Sequence, residues 1–437
     1  MFLLYNFILC LGSLLGLPVI LFHLATTPKH RVGLKEKFGG LPQEVRKGLQ
    51  NQKVIWLHAV SVGEVIAALS LIKELKCSFP KTKLVVSTGT ATGNRTAREK
   101  AMVADYVIFA PFDYSWSVKR TLNILHPTLF VAMETELWPN LLWHLSKTGV
   151  PTLLANGRIS PNSFKGYRKI RFFFRRVLSQ INTFGMQTAL DAQRLIQLGA
   201  DPAKVKITGN VKFDQALAVK TASTAETSRL KESLGLREGE QLLIIGSTHR
   251  GEEEKVLEAF EEIRQEFPHL LLLIAPRHIE RVKEIENLLQ KKGLPTVRKS
   301  SLRPTSHWNG PLPRPIVLLD TLGELSYFYT IGTIAFVGGS LVPTGGQNLL
   351  EPAVHRKPVL YGPHTYNFQE IARILGESGG GIQVQDEGEL AVKIIKLLRR
   401  PEQIKELGEK AYRAVVAHQG AVAKNLDLIR QMIQGAR

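Results

Sequence analysis

Short apolar runs alternate with helical patterns along almost the whole chain, and this alternation constrains the fold more than any other feature. The first series of predicted strands is Val54–His58, Leu84–Ser87, Tyr106–Phe109, Thr128–Met133, Thr152–Ala155 and Val205–Thr208. Helical periodicity lies between them, as in Val65–Leu75 and Trp116–Leu125. Such an order predicts parallel sheets built from βαβ units. Between Lys212 and Glu240 the pattern loosens into polar stretches, Thr221 to Glu226 and Arg237 to Glu240. A second series follows, with strands Leu242–Ile245, Leu270–Ile274, Ile316–Leu319, Ile334–Val337 and Val359–Tyr361. Late helices are predicted over Glu387–Leu398, Glu402–His418 and Ala421–Gln434. The expected division is an apolar N-terminal segment over 1–28, a Rossmann-like domain over 29–214, a linker region over 215–240 and a second Rossmann-like domain over 241–437. Two open sheets imply a cleft fed by loops at the carboxyl ends of their strands.

The N-terminal segment is a separate matter. From Met1 to Pro28 there is no Asp, Glu, Lys or Arg, and Phe2 to Leu24 is almost wholly apolar. As a helix that run is ~35 Å long, enough to cross a hydrocarbon core of ~30 Å. Lys29, His30, Arg31, Lys35 and Lys37 follow it. The excess of cations on that side predicts a membrane anchor or deep interfacial helix with the body in the cytoplasm. A cleaved signal peptide fits less well, because the basic start is missing. A buried core helix is the remaining alternative, and Gly12, Gly16 and Pro18 weaken either helix.

The chain has 437 residues with 57 Lys plus Arg against 38 Asp plus Glu, a net charge of +19. That excess favours anionic partners. No zinc-finger spacing, RNP-like strand or basic zipper accompanies it, so nucleic acid is not the expected partner. The two cysteines, Cys10 and Cys77, form no CxxC motif and suggest a reducing compartment. The twelve histidines show no HExxH, and no metal or cofactor is expected. GxxxxGK[ST] is absent, and no GxGxxG follows the first strand.

Three groups in the first half stand at strand ends, where α/β proteins bind ligands. Val60-Ser61-Val62-Gly63-Glu64 follows a strand and opens a helix. Gly63 allows a tight turn or a close approach. Glu64 is either a reactive carboxylate or an acid that suits the helix dipole. Glu134 and Glu136 in Met133-Glu134-Thr135-Glu136-Leu137-Trp138-Pro139-Asn140 share a face if extended. Paired acids there are costly unless hydrogen-bonded or functional. Otherwise one of them, or Thr135 or Asn140, caps the next helix. Lys212 in Gly209-Asn210-Val211-Lys212-Phe213-Asp214 is a point charge for phosphate or carboxylate, or a solvated turn lysine.

The second half repeats the theme. Ser247-Thr248-His249-Arg250-Gly251-Glu252-Glu253, Pro276-Arg277-His278, Asp320-Thr321-Leu322-Gly323-Glu324-Leu325, Gly338-Gly339-Ser340 and Gly345-Gly346-Gln347-Asn348-Leu349-Leu350-Glu351 each follow a strand or open a helix. Glycines at helix starts offer amides to phosphate, Arg277 offers a planar fork, and Glu351 can accept from ribose hydroxyls. Together they read as a nucleotide site. Between Lys165 and Gln180 six cations, Lys165, Arg168, Lys169, Arg171, Arg175 and Arg176, interleave with Tyr167 and Phe172 to Phe174, with no acid. This is an acceptor or membrane-surface contact, or a solvated basic helix face.

These motifs, in this order, resemble the 3-deoxy-D-manno-octulosonic acid (Kdo) transferase family of lipopolysaccharide synthesis. The resemblance runs from Arg31-Val32-Gly33 through His58-Ala59-Val60-Ser61-Val62-Gly63-Glu64, Glu134 to Asn140 and Asn156-Gly157-Arg158-Ile159-Ser160, then Gly209 to Asp214 and the second-half loops to Gly362-Pro363-His364. It implies a GT-B fold and inverting, metal-independent transfer from CMP-Kdo to a lipid A precursor (lipid IVA) at the bacterial inner membrane, with inner-membrane lipids as further partners. It implies Glu64 as general base and Glu134 and Lys212 as transition-state stabilisers. Pro276, Arg277, Leu322, Gly323, Glu324, Asn348, Leu349, Leu350 and Glu351 are implied for CMP. Gln347, Ile279 and Gly157 depart from the family's frequent His, Pro and Ala. The competing readings are another GT-B transferase, a nucleotide-sugar epimerase, and an anionic-lipid or nucleic-acid binder without chemistry.

Overall fold

The computed structural model describes residues 2–27, 31–218, 223–302 and 314–435. Lys29, His30 and the Thr221 end of the expected linker lie outside them. The chain divides into two compact units, Met1–Gln215 with His418–Arg437, and Ala216–Ala417.

The first unit carries a parallel sheet of β1 (Val54–His58), β2 (Lys83–Thr88), β3 (Tyr106–Phe109), β4 (Leu129–Met133), β5 (Thr152–Gly157), β6 (Thr183–Met186) and β7 (Val205–Ile207). Their order is β3-β2-β1-β4-β5-β6-β7. The central strand β1 is buried throughout, as a parallel strand covered by helices on both faces must be. Side-chain alternation splits it between two cores. Val54 and Trp56 join the cluster with Phe130 and Leu142, whereas Ile55 and Leu57 join the one with Val65 and Leu71. The order reverses between β1 and β4, so the loops after these two strands flank the switch point.

The second unit repeats the plan with β8 (Leu242–Thr248), β9 (Leu271–Pro276), β10 (Thr296–Arg298), β11 (Ile316–Leu318), β12 (Ile334–Val337), β13 (Val359–Tyr361) and β14 (Gly381–Gln383). They are ordered β10-β11-β9-β8-β12-β13-β14. Leu243 and Ile245 enter one core, and Leu242 and Ile244 enter the other. The switch point lies between β8 and β12. β6, β10 and β14 are absent from the sequence-based list. Their sequences, Thr183-Phe184-Gly185-Met186, Thr296-Val297-Arg298 and Gly381-Ile382-Gln383, contain no run of adjacent large apolar residues, so no apolar pattern stands out.

Two boundaries differ from the sequence-based expectation. The stretch expected as linker folds: Thr224–Ser233 is a helix with a Ser223–Glu226 capping box. Leu234 and Leu236 beyond it are core residues of the second unit. The last helix, Ala421–Gly435, belongs to the first unit. Ala421, Val422, Leu426 and Ile429 complete its core. Asp214 holds the start of that helix, accepting from Gly420 N–H at 2.8 Å and Ala421 N–H at 3.0 Å.

The N-terminal segment forms one helix, Phe2–Thr26. Phe2–Val19 is long and apolar enough to cross a membrane, and none of it is buried. Arg31 closes its C-terminal end by donating to the carbonyls of Leu24 and Ala25.

Candidate active site

In the first unit the loop after β1 turns directly into helix Val62–Ser78. Ser61 is the N-cap and accepts from Glu64 N–H at 3.4 Å. The Glu64 carboxylate folds back on the same loop. It accepts from Val60 N–H at 2.9 Å and from the Ser61 hydroxyl at 2.8 Å. The Val60 peptide is fixed from its other side, since its carbonyl accepts from Gly89 N–H at 3.1 Å. Glu64 is 8% exposed. Burial, then the neighbouring Glu136 charge, push its carboxyl up to about 7 against the pull of Val60 N–H and Ser61, and Glu134 adds to the rise. A carboxyl poised there exchanges protons readily at neutral pH. Gly63 needs no unusual backbone. It lies inside the helix, and a Cβ there would meet only Ser61 Oγ at 3.9 Å, so the tight-turn reading falls and open access beside Glu64 remains. His58 is a core residue, wholly buried and held at Nδ1 by Ser87 Oγ at 2.9 Å.

β4 delivers Glu134 in a left-handed conformation, φ 53°, with its N–H on the Ala155 carbonyl at 2.9 Å. Non-glycine residues rarely adopt this conformation, and strained positions cluster at functional sites. Thr135 donates to the Arg158 carbonyl. Glu136 is half-buried and accepts from Trp138 Nε1 at 2.6 Å. Burial first, then the charge of Glu134, raise its carboxyl above the usual range. The helix Pro139–Lys147 is capped from elsewhere. Asp113 accepts from Asn140 N–H at 3.0 Å and Leu141 N–H at 2.8 Å. Asp113 went unread in the sequence, where its distance from the helix gives no local signal.

Lys212 is half-buried in the first turn of helix Val211–Leu217. Asn156, also left-handed at φ 55°, accepts from Val211 N–H at 3.1 Å, and Asn210 accepts from Lys212 N–H at 3.1 Å. Val65, Met133 and Val211, the chain neighbours of Glu64, Glu134 and Lys212, all lie in one core cluster. The three predicted residues are thus carried by elements that share a core, with Glu64 in the helix start after β1 and Glu134 on the loop after the adjacent β4.

In the second unit the loops after β8 and β12 are joined by Glu252, which is fully buried. Its carboxylate accepts four backbone N–H groups, from His249 at 3.1 Å, Gly339 at 2.6 Å, Ser340 at 3.0 Å and Leu341 at 2.9 Å. Gly338 makes room for it, since a Cβ there would lie 2.6 Å from Glu252 Oε2. Pro276 ends β9, and the exposed Arg277 follows, its N–H on the Thr248 carbonyl at 3.0 Å. Asn348 donates to Glu351 at 3.2 Å and accepts from Leu350 N–H at 3.2 Å. Burial raises the Glu351 carboxyl, while Asn348 and the Arg277 charge hold it down. Gln347 hydrogen-bonds His249 Nε2 at 3.0 Å. Burial lowers the His249 imidazole, as do the charges of His278 and Arg277, so the ring is neutral and accepts from the Gln347 amide.

The expected CMP residues differ in what they offer. Leu349 and Leu350 are 1% and 0% exposed, so a ligand can meet only their backbone. Leu322 is 80% exposed beside Gly323 at φ 80°. Glu324 is engaged by Lys299 at 2.9 Å and by Thr321. Sequence reasoning missed Tyr329. It is fully buried against Gly246, where a Cβ would lie 2.0 Å from its hydroxyl, and the Glu351 charge acts on it. The six cations of the basic segment, Lys165, Arg168, Lys169, Arg171, Arg175 and Arg176, are all exposed on helices Pro161–Lys169 and Arg171–Leu178. Phe174 is core and Phe173 packs against it, while Phe172 is 79% exposed. No group of three or more metal-ligating side chains occurs among the described residues.

Several solved structures share this fold. The UDP-GlcNAc 2-epimerase of Neisseria meningitidis, solved with UDP-GlcNAc, superposes with a TM-score of 0.59 at 15% identity, over 87% of this chain and 100% of that one. A glycosyltransferase from Rickettsia africae does so with 0.59 at 12%, over 88% and 99%. Paired parallel sheets of this kind define the GT-B class, which holds both transferases and epimerases. Sequence decides between them. A profile of the family described as 3-Deoxy-D-manno-octulosonic-acid transferase (kdotransferase) matches residues 32–215. The 3-deoxy-D-manno-octulosonic acid transferase of Haemophilus influenzae is 35% identical over 93% of this chain and 93% of its own length. That of Chlamydia pneumoniae is 30% identical over 92% and 89%. The chain belongs to the Kdo transferase family and is a glycosyltransferase.

Proposed function

We propose that the chain transfers Kdo from CMP-Kdo to the lipid A precursor lipid IVA, with inversion and without a metal, on the cytoplasmic side of the bacterial inner membrane. Glu64 is the general base. It takes the proton from the acceptor hydroxyl as that oxygen bonds to the anomeric carbon and the CMP phosphate leaves with the bonding pair. The observation that carries this reading is a carboxylate 8% exposed, held by one backbone amide and one hydroxyl, which burial first and the charges of Glu136 and Glu134 after it push up to about 7.

Glu134 and Lys212 stabilise charge that develops at the reacting sugar. A cation and an oriented carboxylate suit a transition state that pairs an electron-poor ring with a sugar carboxylate. The leaving CMP is received by Pro276, Arg277, the Leu322–Glu324 loop and Asn348 to Glu351. Arg277 supplies the planar fork for phosphate, Glu351 accepts from ribose hydroxyls, and Leu349 and Leu350 contribute backbone only. The exposed basic and aromatic helices over 161–178 meet the anionic acceptor or its membrane, and the apolar N-terminal helix supports membrane association.

The test is incubation of detergent-solubilised protein with CMP-Kdo and lipid IVA, followed by mass measurement of the lipid, with Glu64→Gln alongside. Stepwise Kdo additions by the parent and none by the variant are expected, and EDTA is expected to leave the rate unchanged. Full activity in Glu64→Gln removes the proposed base. No product and no CMP release from the folded parent removes the donor and acceptor assignment.

A further inference from the structure

The N-terminal helix is more than a tether, because one of its faces is fitted to the first unit. Phe2, Tyr5, Asn6, Leu9, Ser13 and Gly16 are partly buried, and every other residue whose exposure is described between Leu3 and Val19 is exposed. That spacing is a single stripe of an α-helix. The stripe holds the hydroxyl and amide side chains of the first four turns, and each meets a polar group of the body. Tyr5 donates to Asp113 at 2.9 Å, and Ser13 shares a hydrogen bond with the Tyr114 hydroxyl. Asn6 and Asn140 exchange two amide bonds, at 2.9 and 2.8 Å. Phe2 stacks on Trp143 at 5.5 Å, and Tyr5 meets Phe173 at 5.8 Å.

This docking conflicts with a helix that crosses a bilayer. Phe2 to Gly16 covers ~21 Å of helix axis, and a transverse helix would draw the docked body, with the Asp113 carboxylate, into hydrocarbon. The ten residues left from Leu17 to Thr26 reach only ~15 Å of the ~30 Å needed. Laid flat, the same helix satisfies every group. Its outer face from Leu3 to Val19, with Leu3, Phe7, Leu14 and Leu15 between 64% and 86% exposed, is apolar. Trp116, stacked on Phe38 and Tyr114, lies beside it and is 54% exposed. The helix that carries Phe173 also carries the exposed Phe172, Arg171 and Arg175. Aromatic rings with polar edges and a row of cations suit the headgroup level of an anionic leaflet.

We propose that helix Phe2–Thr26 is monotopic: it lies in the plane of one leaflet of an anionic phospholipid bilayer, latched to the body by the Asn6–Asn140 pair, and does not cross the membrane. Asn140 opens the helix that follows Glu134 and Glu136, so the latch ties the membrane contact to the segment that carries these acids. The proposal rests on the membrane association proposed above. Its experiment separates the two.

Protein with protease-cleavable tags at both ends is assayed in sealed right-side-out and inverted membrane vesicles, and its flotation with anionic phospholipid liposomes is measured. Cleavage of both tags from the same side is expected. Cleavage of the N-terminal tag only from the opposite side overturns the proposal and leaves membrane association standing. Failure to float overturns membrane association itself. In a variant lacking Cys10 and Cys77, Asn6→Cys with Asn140→Cys is expected to be bridged quantitatively in vesicles by a short bis-methanethiosulfonate, each thiolate displacing one sulfinate, because the reciprocal amide pair spans more than a direct disulfide can. Absence of that cross-link in folded, membrane-bound protein overturns the latch.

Discussion

Glu64 and Glu252 occupy the same station in their two units. Each lies in the first turn of the helix that follows the first strand of its sheet, and each is almost or wholly buried. Burial raises both carboxyls. Their surroundings then part company. Glu252 receives four backbone N–H groups and no acid is among its partners, so its charge is spent on stapling the loops after β8 and β12. Glu64 receives one N–H and one hydroxyl and faces Glu136 and Glu134. The first is saturated by donors that favour its anion, and the second is left able to take and release a proton near neutrality. Position in a Rossmann-like unit thus does not settle how a buried acid is held or charged; the donor count and the neighbouring charges do.

The largest effect that sharpens this contrast is Glu64→Gln. Turnover is expected to fall by ~10²–10⁴-fold, read by lipid mass, without loss of stability. The folded carboxyl holds its proton up to about 7 against 4.5 ordinarily. Stability linked to Glu64 is therefore fully present below about 4.5 and lost as pH rises through about 7. The variant escapes that loss. Thermal unfolding above pH 7 is expected to show it more stable than the parent, by at most about 3.5 kcal/mol at ~1.4 kcal/mol per pH unit.

Glu252→Gln should behave in the opposite way. A Gln can present one acceptor oxygen to N–H groups that now meet two, so the variant is expected to lose about 2–4 kcal/mol of stability in denaturant unfolding. A Glu252→Gln protein as stable as its parent would break the comparison.

The rate of the parent is expected to rise with pH through about 7 as Glu64 ionises, measured as kcat/KM against pH. Glu136→Gln removes the largest neighbouring charge, and the rise should move to lower pH by less than about one unit. An unmoved profile would deny the coupling. The smallest effect is Gln347→Ala, which removes one hydrogen bond to His249. CMP affinity by calorimetry is expected to weaken only a few-fold, at about 1 kcal/mol per neutral hydrogen bond.

Much of this was legible along the chain. The β1 and β4 runs, Ser61 before Glu64, and the paired acids after Met133 are local signals, because strand burial, capping and periodicity act within a few residues. The order of the motifs also named the family, which the comparisons support. What stayed hidden depends on partners far along the chain. Asp113 caps a helix that begins 26 positions later, and Glu252 is met by amides 87 to 89 positions on. Asp214 seats a last helix 206 positions away, which returns His418–Arg437 to the first unit.

The sequence alone determined two series of parallel-sheet units, a charge-free apolar helix and a set of acids and cations at strand ends. Hydrophobic period and local propensity are properties of neighbours in the chain, and they suffice for that. The tertiary structure alone decided which acid is saturated by amides and which keeps only two donors beside neighbouring acids. It also decided that the expected linker packs as a helix and core leucines, and that the polar stripe of the N-terminal helix docks on Asp113, Tyr114 and Asn140. Burial and hydrogen-bond supply exist only once distant segments have met, and both set the charge state of a carboxylate.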